Sequence, residues 1–256
     1  MRLALGVLAM AVLLIAATPT AFGGWAVVTL QEVPEYLEVG KPTTLSFKIR
    51  QHGETLLSDR SPTVTLRKAD GFLSRLFGRN RVTAVKGSEP GLYEATITPS
   101  DTGDVSVTID TDLFRWKVEL LPFRVVAAGE TPPPMSSHVR GRQLFVAKGC
   151  VTCHAKHDAP EFADWQLVAV GPDLTGRSFP ADWLAQKLAD PAQFRGARTS
   201  GPVMPALTLD EREIAALVHF VNGGKMTTET DGETGDLTGG YGFRDRAPSR
   251  PRSGRS

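Results

Sequence analysis

The stretch that decides the C-terminal part of this chain is Cys150-Val151-Thr152-Cys153-His154. A Cys-x-x-Cys-His run is the attachment site of a c-type haem. Its two thiols, three positions apart, can each add to one vinyl group of the same porphyrin, and the following imidazole can then reach the iron. The chain has only two cysteines. Both would be used as thioethers, and none would remain for a disulfide.

Two other kinds of site also use a Cys-x-x-Cys pair. Structural zinc needs four ligands, and the nearby nitrogen donors, His154 and His157, do not follow the long Cys-to-His spacing of a zinc finger. A thioredoxin-like redox pair lies at a strand-to-helix turn, whereas a helical pattern with no strand precedes Cys150. Haem attachment is therefore favoured, and a zinc-binding structural module stays open as an alternative.

Further elements flank the motif in a characteristic order. A helical pattern containing Gly141 and Phe145 leads into it. After it come Gly171-Pro172, a helical pattern over 180–188, Met204-Pro205 and a helical pattern over 208–221. This ordered set, over residues 138–225, resembles the class I c-type cytochromes. The resemblance implies an all-α domain that carries one covalent haem c, attached through the two cysteines.

The same resemblance implies a role for each residue around the haem. His154 would be the proximal iron ligand and Met204 the distal one, a pair that raises the reduction potential. The carbonyl of Pro172 would accept from the non-ligating ring nitrogen of His154 and fix the ring plane. Arg177 and the indole N–H of Trp183 are candidate partners of a haem propionate. The metal ligands are thus His154 and Met204.

Local signals support the last of these helices. Thr208 precedes Glu211 by three residues, which predicts a capping box at the start of the helix. Asn222-Gly223-Gly224 predicts its end. In this family the first and last helices cross, and Gly141 is a plausible point of close approach. Apolar residues recur at helical spacing at Ile214, Leu217, Val218 and Val221.

Residues 24–128 are expected to form an all-β domain. Seven or eight short strands separated by turn signals are typical of an antiparallel sandwich. Tyr93 follows Pro90-Gly91 in the manner of a tyrosine corner, so the domain resembles the immunoglobulin-like fold type, which carries no activity by itself. Period-two alternation of apolar residues is found at Leu45, Phe47 and Ile49, at Tyr93, Ala95 and Ile97, and at Val105, Val107 and Ile109.

The β domain offers little redox or catalytic chemistry of its own. Blue copper needs two histidines and a cysteine, but residues 24–128 hold only His52 and no cysteine, so a copper site is excluded. One unusual segment, Gly71 to Arg81, mixes four large apolar side chains with three arginines. It is either a docking loop for a membrane partner or lipid surface, or a cap on the sandwich with solvated arginines, which is favoured.

The two ends of the chain and the linker have distinct compositions. Met1-Arg2 and the apolar run from Leu3 to Ala17 predict a signal peptide over 1–23, cleaved before Gly24. An uncleaved membrane anchor is the alternative. Residues 129–137 read as a stiff Pro-rich linker, and residues 226–256 as a disordered tail. The protein is therefore expected in the periplasm or on the outer face of the cytoplasmic membrane.

The sequence thus predicts an exported, two-domain monohaem cytochrome c. It is expected to be an electron-transfer protein rather than an enzyme, with the β domain docking or positioning the haem domain. Expected redox partners are a membrane respiratory complex or dehydrogenase and a terminal oxidase or reductase. The net charge of only +1 predicts no nucleic-acid partner. A haem enzyme or gas sensor with a labile distal ligand is the alternative.

Overall fold

The structure is a computed structural model that describes residues 24–68, 80–114, 116–159, 168–194 and 203–223. Three regions discussed above lie outside these described residues: the predicted signal peptide, most of the Gly71 to Arg81 segment and the predicted C-terminal tail. Among the described residues, no helix is both long and apolar enough to cross a membrane.

Strands dominate the N-terminal part, and the strand-rich expectation for it is confirmed. The three alternating patterns identified in the sequence, at 45–49, 93–97 and 105–109, each lie within one of these strands. The strands are β1 (Ala26–Leu30), β2 (Leu37–Glu38), β3 (Thr43–Gln51), β4 (Thr55–Leu56), β5 (Thr63–Lys68), β6 (Asn80–Thr83), β7 (Val85–Lys86), β8 (Leu92–Ile97), β9 (Gly103–Asp110), β10 (Lys117–Glu119) and β11 (Phe123–Val126).

The strands form two sheets. One has the order β1-β3-β8-β7, with β4 on β3; the other has the order β2-β11-β9-β5-β6, with β10 on β9. Almost all neighbours are antiparallel, with registers such as Phe47 opposite Tyr93. The exception is β2, which pairs parallel to β11 through Leu37 and Val125. The purely antiparallel arrangement predicted from the sequence therefore fails at this edge.

Alternating side chains of the two sheets build the core of the β domain. On β3, Leu45, Phe47 and Ile49 are at most 1% exposed, while the residues between them are more exposed. On β9, Val107 and Ile109 are fully buried in the same way. The period-two patterns in the sequence thus identified the buried face of both central strands.

Tyr93 makes a hydrogen bond different from the one expected at a tyrosine corner. Its hydroxyl donates to the carbonyl of Leu57 at 2.9 Å and accepts from the amide of Arg60 at 3.0 Å. In the immunoglobulin fold the corresponding hydroxyl bonds only a few residues upstream, whereas Leu57 lies 36 residues away. The immunoglobulin-like detail of the fold therefore remains a prediction.

The C-terminal part is helical. Its elements are α1 (Ser137–Ala147), α2 (Cys150–Cys153), α3 (Ala181–Ala189), a 3₁₀ turn (Pro191–Phe194) and α4 (Glu211–Val221). The first of them starts at the last residue of the predicted linker, and the hydroxyl of Ser136 caps it by accepting from the amide of Val139 at 3.3 Å.

The first and last helices cross at Gly141, as the resemblance to class I c-type cytochromes implied. A Cβ on this residue would overlap the carbonyl oxygen of Ala216 and lie 2.6 Å from the Cβ of Phe220. Only a glycine lets the two backbones come this close. Beside the crossing, the rings of Phe145 and Phe220 pack at 5.4 Å between centroids, so the crossing is part of the buried core.

The predicted capping box of α4 is wrong by two residues. Asp210, not Thr208, is the N-cap: its Oδ1 accepts from the amide of Glu213 at 2.7 Å, and Glu213 Oε2 accepts from the amide of Asp210 at 3.3 Å. Both pairs have the spacing of a capping box, so the sequence pattern alone did not separate them. Thr208 instead faces the β domain, where its hydroxyl lies 3.4 Å from the side-chain oxygen of Gln31.

Candidate functional site

The Cys-x-x-Cys-His segment forms a short helix directly after α1. Helix α1 ends at Ala147 with Lys148 as its C-cap residue, and Gly149 turns the chain with a left-handed φ of 83°. One helical turn then separates Cys150 from Cys153, which places both thiols on the same side of the turn. His154 leaves this helix in an extended conformation, with its amide bonded to the carbonyl of Cys150 at 2.9 Å.

The segment after residue 168 is fastened to this turn by backbone hydrogen bonds. The amide of Val168 donates to the backbone carbonyl of Thr152 at 2.9 Å, and the amide of Gly171 donates to the backbone carbonyl of Cys153 at 2.9 Å. A third bond joins the amide of Leu174 to the carbonyl of Ala155 at 2.8 Å. These bonds hold residues 168–174 against the attachment segment.

That segment orients the imidazole of His154. Its Nδ1 lies 2.9 Å from the carbonyl oxygen of Pro172. A carbonyl can only accept, so Nδ1 carries the proton and Nε2 keeps the lone pair that a metal would need. Burial lowers the pKa of His154, although the bond to Pro172 opposes this. The neutral ring, which is the ligating form, is therefore favoured.

One pocket contains most of the residues predicted to hold the haem. Both cysteines, His154, Pro172 and the half-buried Met204 take part in its wall. The lining residues are Val27, Lys148, Gly149, Cys150, Cys153, His154, Val170, Gly171, Pro172, Val203, Met204, Pro205 and Leu207. The structure thus brings the two thiols, an imidazole and a thioether together, although Met204 lies 50 residues beyond His154 in sequence.

The chemistry of this pocket suits a covalent haem. Valine and leucine side chains supply apolar walls for a porphyrin, and the two thiols lie at the spacing that thioether attachment requires. Burial raises the pKa of Cys150 to about 12 and that of Cys153 to about 11; the neighbouring Cys153 also raises the former.

The described residues give the zinc alternative no further ligands. Among them, no group of three or more histidine, cysteine, aspartate or glutamate side chains is arranged to hold a metal ion. His157 is exposed at the surface, where its amide donates to the hydroxyl of Thr175 at 2.9 Å.

Arg177 and Trp183 do not line this pocket. Arg177 is exposed. Trp183 is 37% exposed. Its ring stacks on that of Phe179 and meets the ring of Phe194 edge-on, with 5.6 Å between ring centroids in each pair. Their contacts with a haem propionate therefore stay predictions.

Sequence reasoning missed the contribution of the β domain to the pocket. Val27, on β1, lines it. Lys148 also lines it and bonds to the backbone of Gln31 in the β domain at 2.7 Å. The one signal available in the sequence was a lysine at the end of an apolar helical run, two residues before the first cysteine.

Comparison with known protein families agrees with this geometry. Residues 138–225 match the family model described as cytochrome c. The match covers the whole helical part and none of the β domain. A comparison with curated proteins found no match.

Several solved structures resemble part of the chain at low similarity. They include a Lin-41 filamin domain (14% identity, 39% of this chain and 91% of that chain, TM-score 0.30). Domains 4 and 5 of the S-layer protein SbsC match with 16% identity over 41% of this chain, at a TM-score of 0.28. A superoxide reductase from Ignicoccus hospitalis matches with 15% identity, 39% and 80% coverage, and a TM-score of 0.27.

These structural likenesses are too weak to support a conclusion. The chain spans only 54% of the S-layer structure and 17% of a longer chain from Bacteroides vulgatus. The family match is different, because it coincides with the attachment segment and the pocket built around it. Residues 138–225 are a cytochrome c domain, and Cys150 and Cys153 are its attachment points for a covalent haem c.

Proposed function

We propose that this protein is an exported monohaem cytochrome that carries single electrons between the partners of a respiratory chain. The cytochrome c domain indicates haem-based electron transfer. One observation carries the finer proposal: the thioether of Met204 lines the same pocket as His154 and the two cysteines. A second side chain able to bind the iron suits electron transfer better than binding of a substrate or gas, because it would leave no ligand site free.

The chain's own residues have distinct roles in this proposal. When bound, the haem supplies a one-electron iron couple. His154 would bind the iron through Nε2, and its Nδ1–H bond to Pro172 keeps the ring in a single orientation. Met204 would supply a second, soft donor, which would raise the reduction potential and occupy the remaining ligand site. The apolar residues Val170 and Val203 would contribute to the wall around the haem.

The cellular location is also part of the proposal. Support comes from the N-terminal sequence, where Arg2 and the apolar run from Leu3 to Ala17 have the form of a signal peptide. The mature protein would act in the periplasm or on the outer face of the cytoplasmic membrane. Its donor would be a quinol-oxidising complex or a dehydrogenase and its acceptor a terminal oxidase or reductase, with the β domain positioning the haem domain against them.

Absorption spectroscopy with two methionine variants tests the electron-carrier proposal. The protein is produced with a c-haem maturation system, and oxidised and reduced spectra are recorded with and without CO. The wild type should be six-coordinate and low-spin, show a Met–Fe(III) charge-transfer band and not react with CO. Met204→Ala should lose the band and bind CO. Met135→Ala, outside the pocket, should match the wild type.

Two results would count against this function. A high-spin, CO-reactive wild type would mean that Met204 is not a firm ligand and would favour a haem enzyme or gas sensor. For the location, cell fractionation and the mass of the mature chain are decisive. Recovery in the cytoplasm with residues 1–23 still attached would overturn export.

A further inference from the structure

Lys148 carries a charge in the interior of the protein. Its side chain is 0% exposed, although lysines are almost never fully buried unless they are paired. It is the C-cap residue of α1 and stands two positions before Cys150. Because Lys148 also lines the haem pocket, whatever it bonds to is fixed relative to the attachment site.

The ammonium of Lys148 has an acceptor for each of its three protons. Nζ donates to the carbonyl of Gln31 at 2.7 Å and to the carbonyl of Thr208 at 2.9 Å. The third partner is the carboxylate of Glu213, with Nζ 3.1 Å from Oε2. An ammonium group has only three donors, so its hydrogen-bonding capacity is fully used.

These three partners belong to different parts of the molecule. Gln31 follows β1, and its amide bonds to the carbonyl of Ser46 on β3 at 2.8 Å, so it is fixed within the β domain. Thr208 lies four residues after Met204, on the segment between the pocket and α4. Glu213 lies in the first turn of α4 and forms its capping box.

The β domain also touches the attachment site directly beside Lys148. A Cβ placed on Gly149 would lie 2.5 Å from Cγ1 of Val27 and 2.7 Å from the carbonyl oxygen of Val28. Strand β1 therefore lies against the residue that precedes the first haem cysteine. Val27 contributes to the pocket wall as well.

We propose that Lys148 is a positioning residue through which the β domain holds the Met204 segment at the haem pocket. The β domain is then a structural part of the haem site and does not swing freely on the linker. This inference rests on the proposed function, because it takes Met204 as the distal ligand.

The physical argument is the cost of an unpaired buried charge. If residues 203–209 move outward, Lys148 loses the Thr208 carbonyl; if the β domain moves, it loses the Gln31 carbonyl. A hydrogen bond to a charged group contributes more than a neutral one, and a buried charge without its partner is strongly unfavourable. The two segments are therefore expected to open together and not independently.

The double variant Lys148→Met/Glu213→Gln tests the proposal without leaving a buried charge. Methionine replaces the long side chain without the ammonium. Glutamine removes the counter-charge and can still accept from the amide of Asp210, so the capping box of α4 is kept. The bonds to Gln31 and Thr208 are lost together with the ion pair between Lys148 and Glu213.

Two readouts are compared with those of the wild type. Hydrogen–deuterium exchange of residues 203–209 should become at least tenfold faster. The Met–Fe(III) charge-transfer band should weaken, and the reduced protein should bind CO. Thermal unfolding and circular dichroism confirm that each variant is folded.

Arg140→Met is the matched control. Arg140 lies on the same helix and also bridges to the β domain, donating to the carbonyls of Val33 at 2.7 Å and Pro34 at 3.4 Å. It is two helical turns from Lys148 and does not bond to Thr208. This variant should keep the charge-transfer band, the inertness to CO and the wild-type exchange rate of residues 203–209.

The proposal is overturned if the folded double variant keeps wild-type exchange, band and CO inertness, or if Arg140→Met changes them equally. Should the double variant not fold, native-state exchange of the wild type decides instead. Residues 26–31 and 203–209 should then show the same free energy of local opening. A lower opening free energy for residues 203–209 alone would show that the Met204 segment is not coupled to the β domain. Failure of the proposed function is distinct, because the wild type itself would then lack the band.

Discussion

Nδ1 of His154 lies 2.9 Å from the carbonyl oxygen of Pro172, and this hydrogen bond joins the attachment turn to the segment that follows it. The preceding residue, Gly171, leaves room for the ring. A Cβ there would lie 2.6 Å from Cε1 and 2.7 Å from Nδ1 of His154, well inside the contact distance of packed atoms.

We therefore expect Gly171→Ala to displace the ring of His154 and weaken its bond to Pro172. A carbonyl that accepts from the ligand's N–H makes the imidazole a stronger donor. Losing it should raise the midpoint potential. Packing strain should also lower the unfolding free energy by about 1–3 kcal/mol. Spectroelectrochemical titration and denaturant unfolding measure the two effects.

Pro172→Ala is the control for that experiment, because alanine keeps the backbone carbonyl. It should retain the wild-type potential and lose only about 0.4–1 kcal/mol of stability, since proline restricts the unfolded chain. If Gly171→Ala also keeps the wild-type potential, the orientation of His154 does not tune the site.

The start of α4 gives a second prediction. The side chain of Asp210 accepts from the amide of Glu213 at 2.7 Å. Asp210→Ala removes this acceptor, so the unfolding free energy should fall by about 1 kcal/mol. Thr208→Ala, at the cap that the sequence pattern indicated, should stay within about 0.5 kcal/mol of the wild type. Thermal and denaturant unfolding measure both changes. A larger loss of stability for Thr208→Ala than for Asp210→Ala would mean that Asp210 is not the capping residue.

The sequence predicted those elements whose signal is local. The alternation of Leu45, Phe47 and Ile49 marks a buried strand face within a few residues, and the Cys-x-x-Cys-His run carries its own chemistry. Strands β2 and β4 were missed because each is only two residues long, too short to show an alternating pattern. Strand β2 exists through pairing with the distant β11, whereas β4 turns back directly on the end of β3.

The environment of Lys148 was equally invisible in the sequence. Its carbonyl acceptors are 117 and 60 residues away along the chain. Both are backbone atoms, which carry no residue-specific signal. A lysine at a helix end normally reads as a solvated cation that favours the helix dipole. Only the packing of β1 against Gly149 turns this residue into a buried link between the two domains.

Tyr93 gives a third prediction, for the β domain. Its fully buried hydroxyl donates to Leu57 and accepts from Arg60. Tyr93→Phe leaves both backbone groups without this partner, so the unfolding free energy should fall by about 1–3 kcal/mol. Denaturant unfolding followed by circular dichroism measures the change.

Tyr36→Phe is the matched control for the tyrosine experiment. Within the part of the chain that the structure describes, no hydrogen bond to the Tyr36 hydroxyl is seen, so the loss should be within about 0.5 kcal/mol. Equal losses in both variants would show that the Tyr93 hydroxyl adds nothing to stability.

The last prediction concerns the ion pair of Lys156 and Asp158. The ammonium is 3.0 Å and 3.1 Å from the two carboxylate oxygens, and its side chain is only 3% exposed. Partial burial raises the pKa of Asp158. The ammonium and the amide of Gly176 outweigh this effect, so the net pKa lies below the ordinary value of an aspartate.

The sign of the pH dependence follows from that lowered pKa. The folded protein holds the proton of Asp158 more weakly than the unfolded chain, so the pair stabilises the fold above the unfolded pKa and is lost as pH falls through the folded one. Asp158→Asn should therefore be less stable by up to about 1 kcal/mol at neutral pH, because solvent screens a carboxylate that is 39% exposed. The gap should close as the medium is acidified towards about pH 3.

Denaturant unfolding at a series of pH values measures this gap. Glu119→Gln, an exposed carboxylate on β10, is the control and should stay within about 0.5 kcal/mol of the wild type throughout. A gap for Asp158→Asn that does not change with pH would mean that the shape of the side chain, and not its charge, stabilises this loop. A closing gap would show that the carboxylate's charge holds the buried ammonium of Lys156 in place.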